Sequence, residues 1–550
     1  MSSKKLKIIP LGGLGEIGMN CMVLEWDREM VLVDCGIQFP DASVPGVELL
    51  TPDLSYVRQN AKRLKGIVLT HGHDDHIGAI PFLLMDLELD VYCTPFPRGL
   101  IQNKLQEYPR LEEIRFHEIT PRKKFKVGPF TFEALPVAHS IIEATALAIE
   151  TPVGIVIHSG DFKHDDDLMP EGETGFAAFE EYGKKGVRLL LSDSTNAERI
   201  GHTMSEEQVT GSFEGVFEKQ KSRLFIALFA SNIRRVENLL ALAKRTGKKV
   251  AFAGRSMHSY TRLAHGNESM EIPEDTVILL ERLGEYPDKD VVVLMTGSQA
   301  EPGAALVRVA YGTHKDLKLR EGDTVVLSSR FIPGNEKAIN AMINQLFRAG
   351  AEVAYESFHK VHVSGHGFQD ELLMLLNAVK PECFIPVHGE YRHLARHARL
   401  AISSGVKKEK TAVIENGQVM ELSEDGLEYG PLLELRKGVI VEGEFMAGDP
   451  ALFSQRNSLA RTGIAFVSFT RDSRSHKLLE APVVKLYGIL YRDGVHPDDV
   501  PLDASEMLED LYPDFSRRED WQEIVKIELR RFLKKRASHK PVVIAVMQDV

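Results

Sequence analysis

The chain has 550 residues, enough for two or more domains, and its hydrophobic fraction of 43% is ordinary for a globular protein. No run of 18 apolar residues occurs, which argues against a membrane span, and the basic start leads into Ile8-Ile9-Pro10 rather than a signal-like apolar stretch. The formal net charge of -12 argues against a general nucleic-acid coat but leaves room for a local positive channel.

In chain order, residues 7–10, 20–24 and 30–34 carry strand signals separated by Gly-rich or charged turns. The apolar run 64–69 predicts another strand, and it leads directly into His71-Gly72-His73-Asp74-Asp75-His76. Residues 77–87 predict a helix from their apolar spacing. Further strands are expected at 91–93, 130–137, 144–150, 154–158 and 187–192. So many strands with so few helices between them imply two sheets with outer helices, not a simple βαβ repeat. The pattern changes near Met204. Helices are expected at 205–218, 235–246 and 337–349, and strands at 224–230, 249–252, 291–295 and 324–327. Strand-like segments with potential ligands return at 359–366 and 383–388, so the α/β stretch reads as an insertion in the first domain. Short β pieces follow over 411–445, then a linker, then strands at 463–469, 482–490 and 541–547 and a helix at 520–538. The expected boundaries are 1–204 and 361–435 for the split first domain, 205–360 for the insertion, 436–455 for the linker and 456–550 for a C-terminal domain.

The four cysteines, at 21, 35, 93 and 383, form no CxxC pair and indicate a reducing, cytoplasmic setting. Residues 211–265 are rich in Lys and Arg, which reads either as a solvated face or as a wall that meets phosphates. The helix at 520–538 carries Lys526, Arg530, Arg531, Lys534, Lys535 and Arg536, with the same two readings.

The histidine cluster carries the chemistry. His71 and His73 alternate at a strand end and can face one cation, while Asp75 and His76 can face a second, with Asp74 turned away. His139, Asp161 and His388 each end an apolar run, so they fit as later ligands; an acid between two cations can bridge them. Asp34 ends another strand and can orient a ligand imidazole. His362, Ser364 and His366 share one face if the segment is extended. Ser231 and Asn232 close the run 224–230, where a hydroxyl and backbone amides can cradle a phosphate or simply cap the strand end. The glycines of Leu11–Gly18 miss the dinucleotide-binding spacing, and no P-loop Lys-Ser/Thr follows, so a tight turn is expected there.

These residues resemble a known family. His71-x-His73-x-Asp75-His76, with His139 and Asp161, is similar to the signature of metallo-β-lactamase-fold hydrolases. Asp193 in Ser192-Asp193-Ser194-Thr195-Asn196, His366 in Ser364-Gly365-His366 and His388 in Pro386-Val387-His388-Gly389 resemble the three added motifs of the β-CASP nucleic-acid branch, and within it the ribonuclease J family. The resemblance implies an αββα sandwich with an inserted α/β β-CASP domain and a small C-terminal α/β domain. It implies two divalent metal ions, zinc or manganese, one on His71, His73 and His139, the other on Asp75, His76 and His388, with Asp161 shared. It implies that Asp75, Asp193 and His366 act in catalysis. The implied substrate is single-stranded RNA, cut 5′→3′ from 5′-monophosphate ends and also internally, in RNA processing and decay. Ser231, Asn232, His362, Ser364 and His366 are the expected RNA contacts. A homodimer or dimer of dimers is implied, with other RNA-decay proteins as further partners. The alternatives are a DNA nuclease of the same branch and a non-catalytic RNA-binding or assembly subunit.

Overall fold

The computed structural model describes residues 4–550 except 42, 109–113, 171–172, 174, 330, 333, 356–362 and 538. The chain divides into one unit of Met1–Phe39 with Leu49–Ile440 and another of Pro40–Glu48 with Val441–Val550.

Two mixed sheets build the part of the first unit that carries the histidine cluster. The larger has eight strands, which include Leu6–Gly12, Cys21–Trp26, Glu29–Val33, Leu64–Val68, Val91–Cys93 and Phe116–Glu118 in that spatial order, with Gln418–Ser423 and Gly426–Leu432 added beside Leu6–Gly12. The smaller runs Cys383–Val387, Leu189–Asp193, Gly154–His158, Thr145–Thr151, Phe130–Pro136 and Lys124–Val127. Leu24, Val31, Val33 and Val68 of the first sheet share a core with Phe130, Phe132, Leu147, Leu191 and Ile385 of the second. Burial of this apolar surface is the main stabilising term and explains strands that are apolar on consecutive positions. Helices cover the outside, giving the αββα sandwich. Ala177–Lys185 and Gln369–Val379 pack so closely that a Cβ on Gly183 would lie 2.1 Å from the Ala378 carbonyl oxygen.

The strand Cys383–Val387 pairs in parallel with Leu189–Asp193, in the register Asp193↔Val387. Residues almost two hundred positions apart therefore end side by side, which brings His388 next to Asp193. The intervening α/β insertion has its own five-stranded parallel sheet, in the order Lys249–Ala253, Val291–Met295, Leu224–Ala227, Thr324–Leu327 and Glu352–Ala354. Its first helix, Glu206–Lys219, starts at a capping box made by Ser205 and Gln208.

Several elements differ from expectation. The helix expected at 77–87 is two short ones, Asp74–Ile77 and Ile80–Leu84, the second with Pro81 in its first turn. The helices Arg255–Gly266, Gln369–Val379 and Tyr391–Ser403 were not foreseen. The strand expected over 359–366 is absent from its described part: 363–368 holds no strand, and the remainder lies outside the described residues. A helix, Pro450–Thr462, occupies part of the expected linker.

Four of the eleven Lys and Arg residues in the basic stretch 211–265 form ion pairs within the insertion. Arg223 pairs with Asp323 in the buried interior, Arg234 with Glu237, and Arg245 with Glu214. Arg235 is buried, and its guanidinium donates to both oxygens of Glu206 at 3.1 and 2.9 Å and to the Ser328 carbonyl at 3.1 Å. Burial alone would raise the Glu206 pKa, but the charges of Arg235 and Lys163 and the hydrogen bonds from Arg235 and Asn232 bring it below the usual carboxylate range. A depressed folded-state pKa stabilises above the unfolded value, near 4.3, and that contribution fades as pH falls through the depressed value. Glu206→Gln is therefore expected to lose about 3–5 kcal/mol at neutral pH, because the guanidinium stays buried without its carboxylate. Its acid melting curve should fall less steeply than that of the parent chain. Parallel curves for the two chains from pH 6 to pH 3 would contradict this.

The second unit packs the helices Val500–Phe515 and Trp521–Arg536 on one face of a sheet ordered Val483–Tyr487, Ile464–Arg471 and Val542–Asp549. Three of the six basic residues of Trp521–Arg536 are paired with acids: Lys526 with Glu523, Arg531 with Glu528 and Arg536 with Asp503. Among the described residues, no helix is long and apolar enough to cross a membrane.

Candidate metal centre

The strand Leu64–Val68 lies between parallel neighbours and delivers Thr70–His76 at its C-terminal end. Asp34 follows the adjacent strand, with a left-handed φ of 58°. Its Oδ1 accepts from the Thr70 amide at 2.8 Å, and its Oδ2 accepts from the Thr70 hydroxyl and from His76 Nδ1, both at 2.7 Å. With its proton given to Asp34, the Thr70 oxygen is free to accept from His71 Nδ1 at 3.0 Å. One carboxylate thus orients two imidazoles, His76 directly and His71 through Thr70, and leaves the Nε2 lone pairs of both facing the same space. Gly36 is required here, since a Cβ would lie 1.6 Å from the Asp75 carbonyl oxygen.

Seven of the side chains singled out in the sequence converge on that space. One group is His71, His73, His139 and Asp161; another is Asp75, His76, His388 and Asp161; within each, the possible ligand atoms all lie within 4.8 Å of one another. His73 Nδ1 sits 3.1 Å from His71 Nε2 and 3.0 Å from His139 Nε2. Asp161 Oδ2 lies 3.2 Å from His76 Nε2 and 3.5 Å from His71 Nε2, and Oδ1 lies 3.1 Å from His388 Nδ1. Asp161 therefore belongs to both groups.

The electrostatics call for positive charge. Burial holds His71 and His139 well below the usual imidazole range, so their lone pairs stay available. Burial opposes charge on His76 too, but Asp161, Asp75 and Asp34 raise it to about 10. His388 is likewise raised, against burial, by Asp161, Asp193 and Asp75. Burial works against ionisation of Asp75 and Asp161, yet the surrounding imidazoles hold both below the usual carboxylate range. His388 Nε2 is buried with no hydrogen-bond partner, although Asp75 Oδ2 lies 3.3 Å away. Buried imidazole and carboxylate donors in two sets joined by one acid fit a pair of divalent cations.

His366 stands beside both groups. Its Nδ1 donates to Asp193 Oδ2 at 2.8 Å, while Asp193 Oδ1 accepts from the Thr195 amide at 2.9 Å and the Thr195 hydroxyl at 2.7 Å. Asn196, not singled out in the sequence, donates through Nδ2 to Ser364 Oγ at 2.7 Å and to the His366 carbonyl at 2.9 Å. The Gly365 carbonyl accepts from His139 Nδ1 at 2.7 Å, which turns His139 Nε2 toward the centre. Thr70 adjoins a recognised motif and Thr195 and Asn196 lie inside one, and that placement was their only signal in the sequence.

The expected phosphate contacts are less concentrated. Ser364 Oγ also accepts from the His366 amide, at 3.1 Å, so this hydroxyl braces the His366 loop. Asn232 caps the helix Ile233–Arg245 through Oδ1 and donates through Nδ2 to Glu206, so its amide is used within the insertion. Ser231 is half-buried at the turn before that helix. His362 lies outside the described residues.

Three family models tile the first unit. "Beta-lactamase superfamily domain" matches residues 29–200, "Ribonuclease J, beta-CASP domain" matches 221–346, and "Zn-dependent metallo-hydrolase RNA specificity domain" matches 350–413. A crystal structure of a protein of unknown function from Enterococcus faecalis V583 shares the fold, with a TM-score of 0.55 at 14% identity, covering 76% of this chain and 100% of that one. The split sandwich, its insertion and the paired metal groups define a β-CASP two-metal hydrolase of the metallo-β-lactamase superfamily. Ribonuclease J of Helicobacter pylori strain B128 is 37% identical over 505 residues, 90% of this chain and 72% of that protein. Ribonuclease J2 of Bacillus subtilis strain 168 is 34% identical over 566 residues, 100% of this chain and 99% of that protein. Ribonuclease J of Thermus thermophilus is 35% identical over 553 residues, 98% of this chain and 95% of that protein. The chain belongs to the ribonuclease J family.

Proposed function

We propose that the chain hydrolyses RNA phosphodiester bonds, working 5′→3′ from 5′-monophosphate ends with additional internal cleavage, in RNA processing and decay. The observation that carries this reading is the pair of His/Asp groups joined at Asp161, with His366 held beside them by Asp193. His71, His73 and His139 would hold one cation and Asp75, His76 and His388 the other, with Asp161 shared; zinc and manganese both suit these donors. Such cations supply a strong nucleophile from water at neutral pH and neutralise charge on the phosphate oxygens.

The chain's own groups do the rest. Asp34 and Thr70 fix the ring orientations of His76 and His71. His366 keeps Nδ1 on Asp193, which leaves Nε2 to give a proton to the departing 3′ oxygen. Departure of that oxygen leaves a mononucleotide and a shortened RNA with a new 5′-monophosphate, ready for the next cycle. Ser231, Asn232, His362, Ser364 and His366 remain our proposed contacts to the terminal phosphate and nearby backbone. The experiment is metal-dependent digestion of uniformly labelled RNA bearing 5′-monophosphate, 5′-triphosphate or 5′-hydroxyl. Mononucleotide release should be at least tenfold faster from the monophosphate. Equal rates on all three ends would sink the end preference, and equal cleavage of matched single-stranded DNA would move the reading to a DNA nuclease.

The reading extends to a cytoplasmic homodimer or dimer of dimers, alongside other RNA-decay proteins. All four cysteines are buried and free, as a reducing compartment favours. Association is supported by the uncovered face of the C-terminal sheet. There Val483, Tyr487, Ile544 and Val546 are exposed, and Phe466 lies between Lys485 and Ile544 in the pairing register. Light scattering should give at least twice the 61.5 kDa chain mass, and Ile544→Asp should shift the protein toward monomer. A monomeric parent chain would remove the proposal.

A further inference from the structure

Glu371 is fully buried at the third position of the helix Gln369–Val379. A capping-box glutamate at that position needs only one partner, the backbone amide of the residue before the helix. Glu371 has that bond, from the Phe368 amide to Oε2 at 2.6 Å. The same carboxylate accepts three more. The His164 amide donates to Oε1 at 2.9 Å, the Thr203 hydroxyl to Oε1 at 2.6 Å, and the Thr203 amide to Oε2 at 2.9 Å. Among the described residues no cationic side chain pairs with it; four donors and the helix N-terminus solvate it instead.

The donors come from three places that matter. His164 lies three residues beyond Asp161. Phe368 lies two beyond His366. Thr203 lies on the segment between Asp193 and the first helix of the insertion. Neighbouring backbone bonds follow the same path, with the Gly367 amide on the Phe162 carbonyl at 2.7 Å and the Gln369 amide on the Arg199 carbonyl at 2.8 Å. Gly367 is pressed against this group: a Cβ there would meet Glu371 Cβ at 3.0 Å. A single carboxylate, that of Glu371, therefore joins the Asp161 loop, the His366 loop and the lead into the insertion.

We infer that Glu371 is a positioning residue that clamps the His366 loop to the Asp161 strand end and so sets His366 against the metal centre. This rests on the reading of His366 given above. The carboxylate itself is needed, because a glutamine amide presents NH2 on one side, where it faces buried donors that it cannot accept from. Positioning errors on this scale cost rate rather than affinity.

The test uses the full chain on 5′-monophosphorylated RNA, with Glu371→Gln alone and combined with His366→Ala. The expected result is a kcat at least tenfold lower, KM within twofold, unchanged metal content, and no further loss when His366 is already alanine. Hydrogen exchange in peptides covering 363–369 should be faster. Thr203→Val, which removes one donor from outside the helix, should lose less in the same direction, and Thr203→Ser should restore the rate. The same fold-loss in both His366 backgrounds, loss of metal in place of turnover, or unchanged exchange would each overturn the assignment. If Glu371→Gln does not fold, the Thr203 pair decides by the same cycle. Normal turnover by His366→Ala alone would instead overturn the reading of His366, and the exchange rates would then decide Glu371.

Discussion

Asp161→Asn is expected to lower RNA hydrolysis by about 10⁴-fold or more, equivalent to about 5.5 kcal/mol of transition-state stabilisation, and to reduce the metal content of the folded chain below one ion. No other residue belongs to both metal groups of this pair. Its Oδ2 lies 3.2, 3.5 and 3.7 Å from the Nε2 atoms of His76, His71 and His139, and its Oδ1 lies 3.1 Å from His388 Nδ1. An amide has the same shape but carries no charge, and its NH2 would point at imidazole nitrogens whose lone pairs need a cation. Both sets would then lack the anion that offsets two nearby positive charges. His76→Ala removes a donor from only one set and is expected to leave the other ion bound, again with turnover abolished and RNA binding largely kept. Metal analysis by mass spectrometry on gel-filtered protein separates the two variants. An Asp161→Asn chain that keeps two ions and normal turnover would remove the shared-acid arrangement.

Spacing in the sequence reveals some of this centre and hides the rest. His71, His73, Asp75 and His76 lie within six residues after an apolar run, so local geometry alone brings them together. Asp34 was legible because an acid at a strand end next to such a cluster has an obvious partner, and the 2.7 Å bond to His76 is that partnership. His139, Asp161 and His388 were legible only as strand ends; the resemblance to a known family, not the spacing, selected them from 20 histidines and many acids. Of the residues that brace the site, Glu371 was not legible. Glu371 takes donors from positions 164, 203 and 368, and no local pattern reveals a contact made across such separations. Long-range pairing also hides in the basic stretch. Arg223 meets Asp323 a hundred residues later, and Arg235 meets Glu206 across the start of the insertion, so these two of its eleven charges are consumed inside the domain. The alternation of His362, Ser364 and His366 suggests a strand, but the described residues from 363 onward turn through Gly365 and Gly367 and brace the loop with Ser364.

His366→Ala is expected to lower kcat by about 10²–10⁴-fold, the usual range for losing a general acid, with KM changed by less than about threefold. The structure gives His366 one fixed partner: Nδ1 is held on Asp193, and Thr195 in turn holds Asp193 with two hydrogen bonds. The ring is therefore aimed, and its Nε2 is the atom left to serve the substrate. When the P–O3′ bond breaks, the departing oxygen takes both bonding electrons and needs a proton. A sulfur leaving group does not, because a thiolate is stable near neutral pH. RNA with a 3′-S-phosphorothiolate linkage should therefore be cleaved by His366→Ala at close to the parent rate, while the oxygen-linked RNA stays slow. Asp193→Asn should show the same pattern with a smaller loss, since it weakens the aim of the ring without removing the proton. An equal loss on both linkages would mean that His366 contributes binding or structure alone. The His366 loop would then serve only to hold His139, whose Nδ1 already rests on the Gly365 carbonyl.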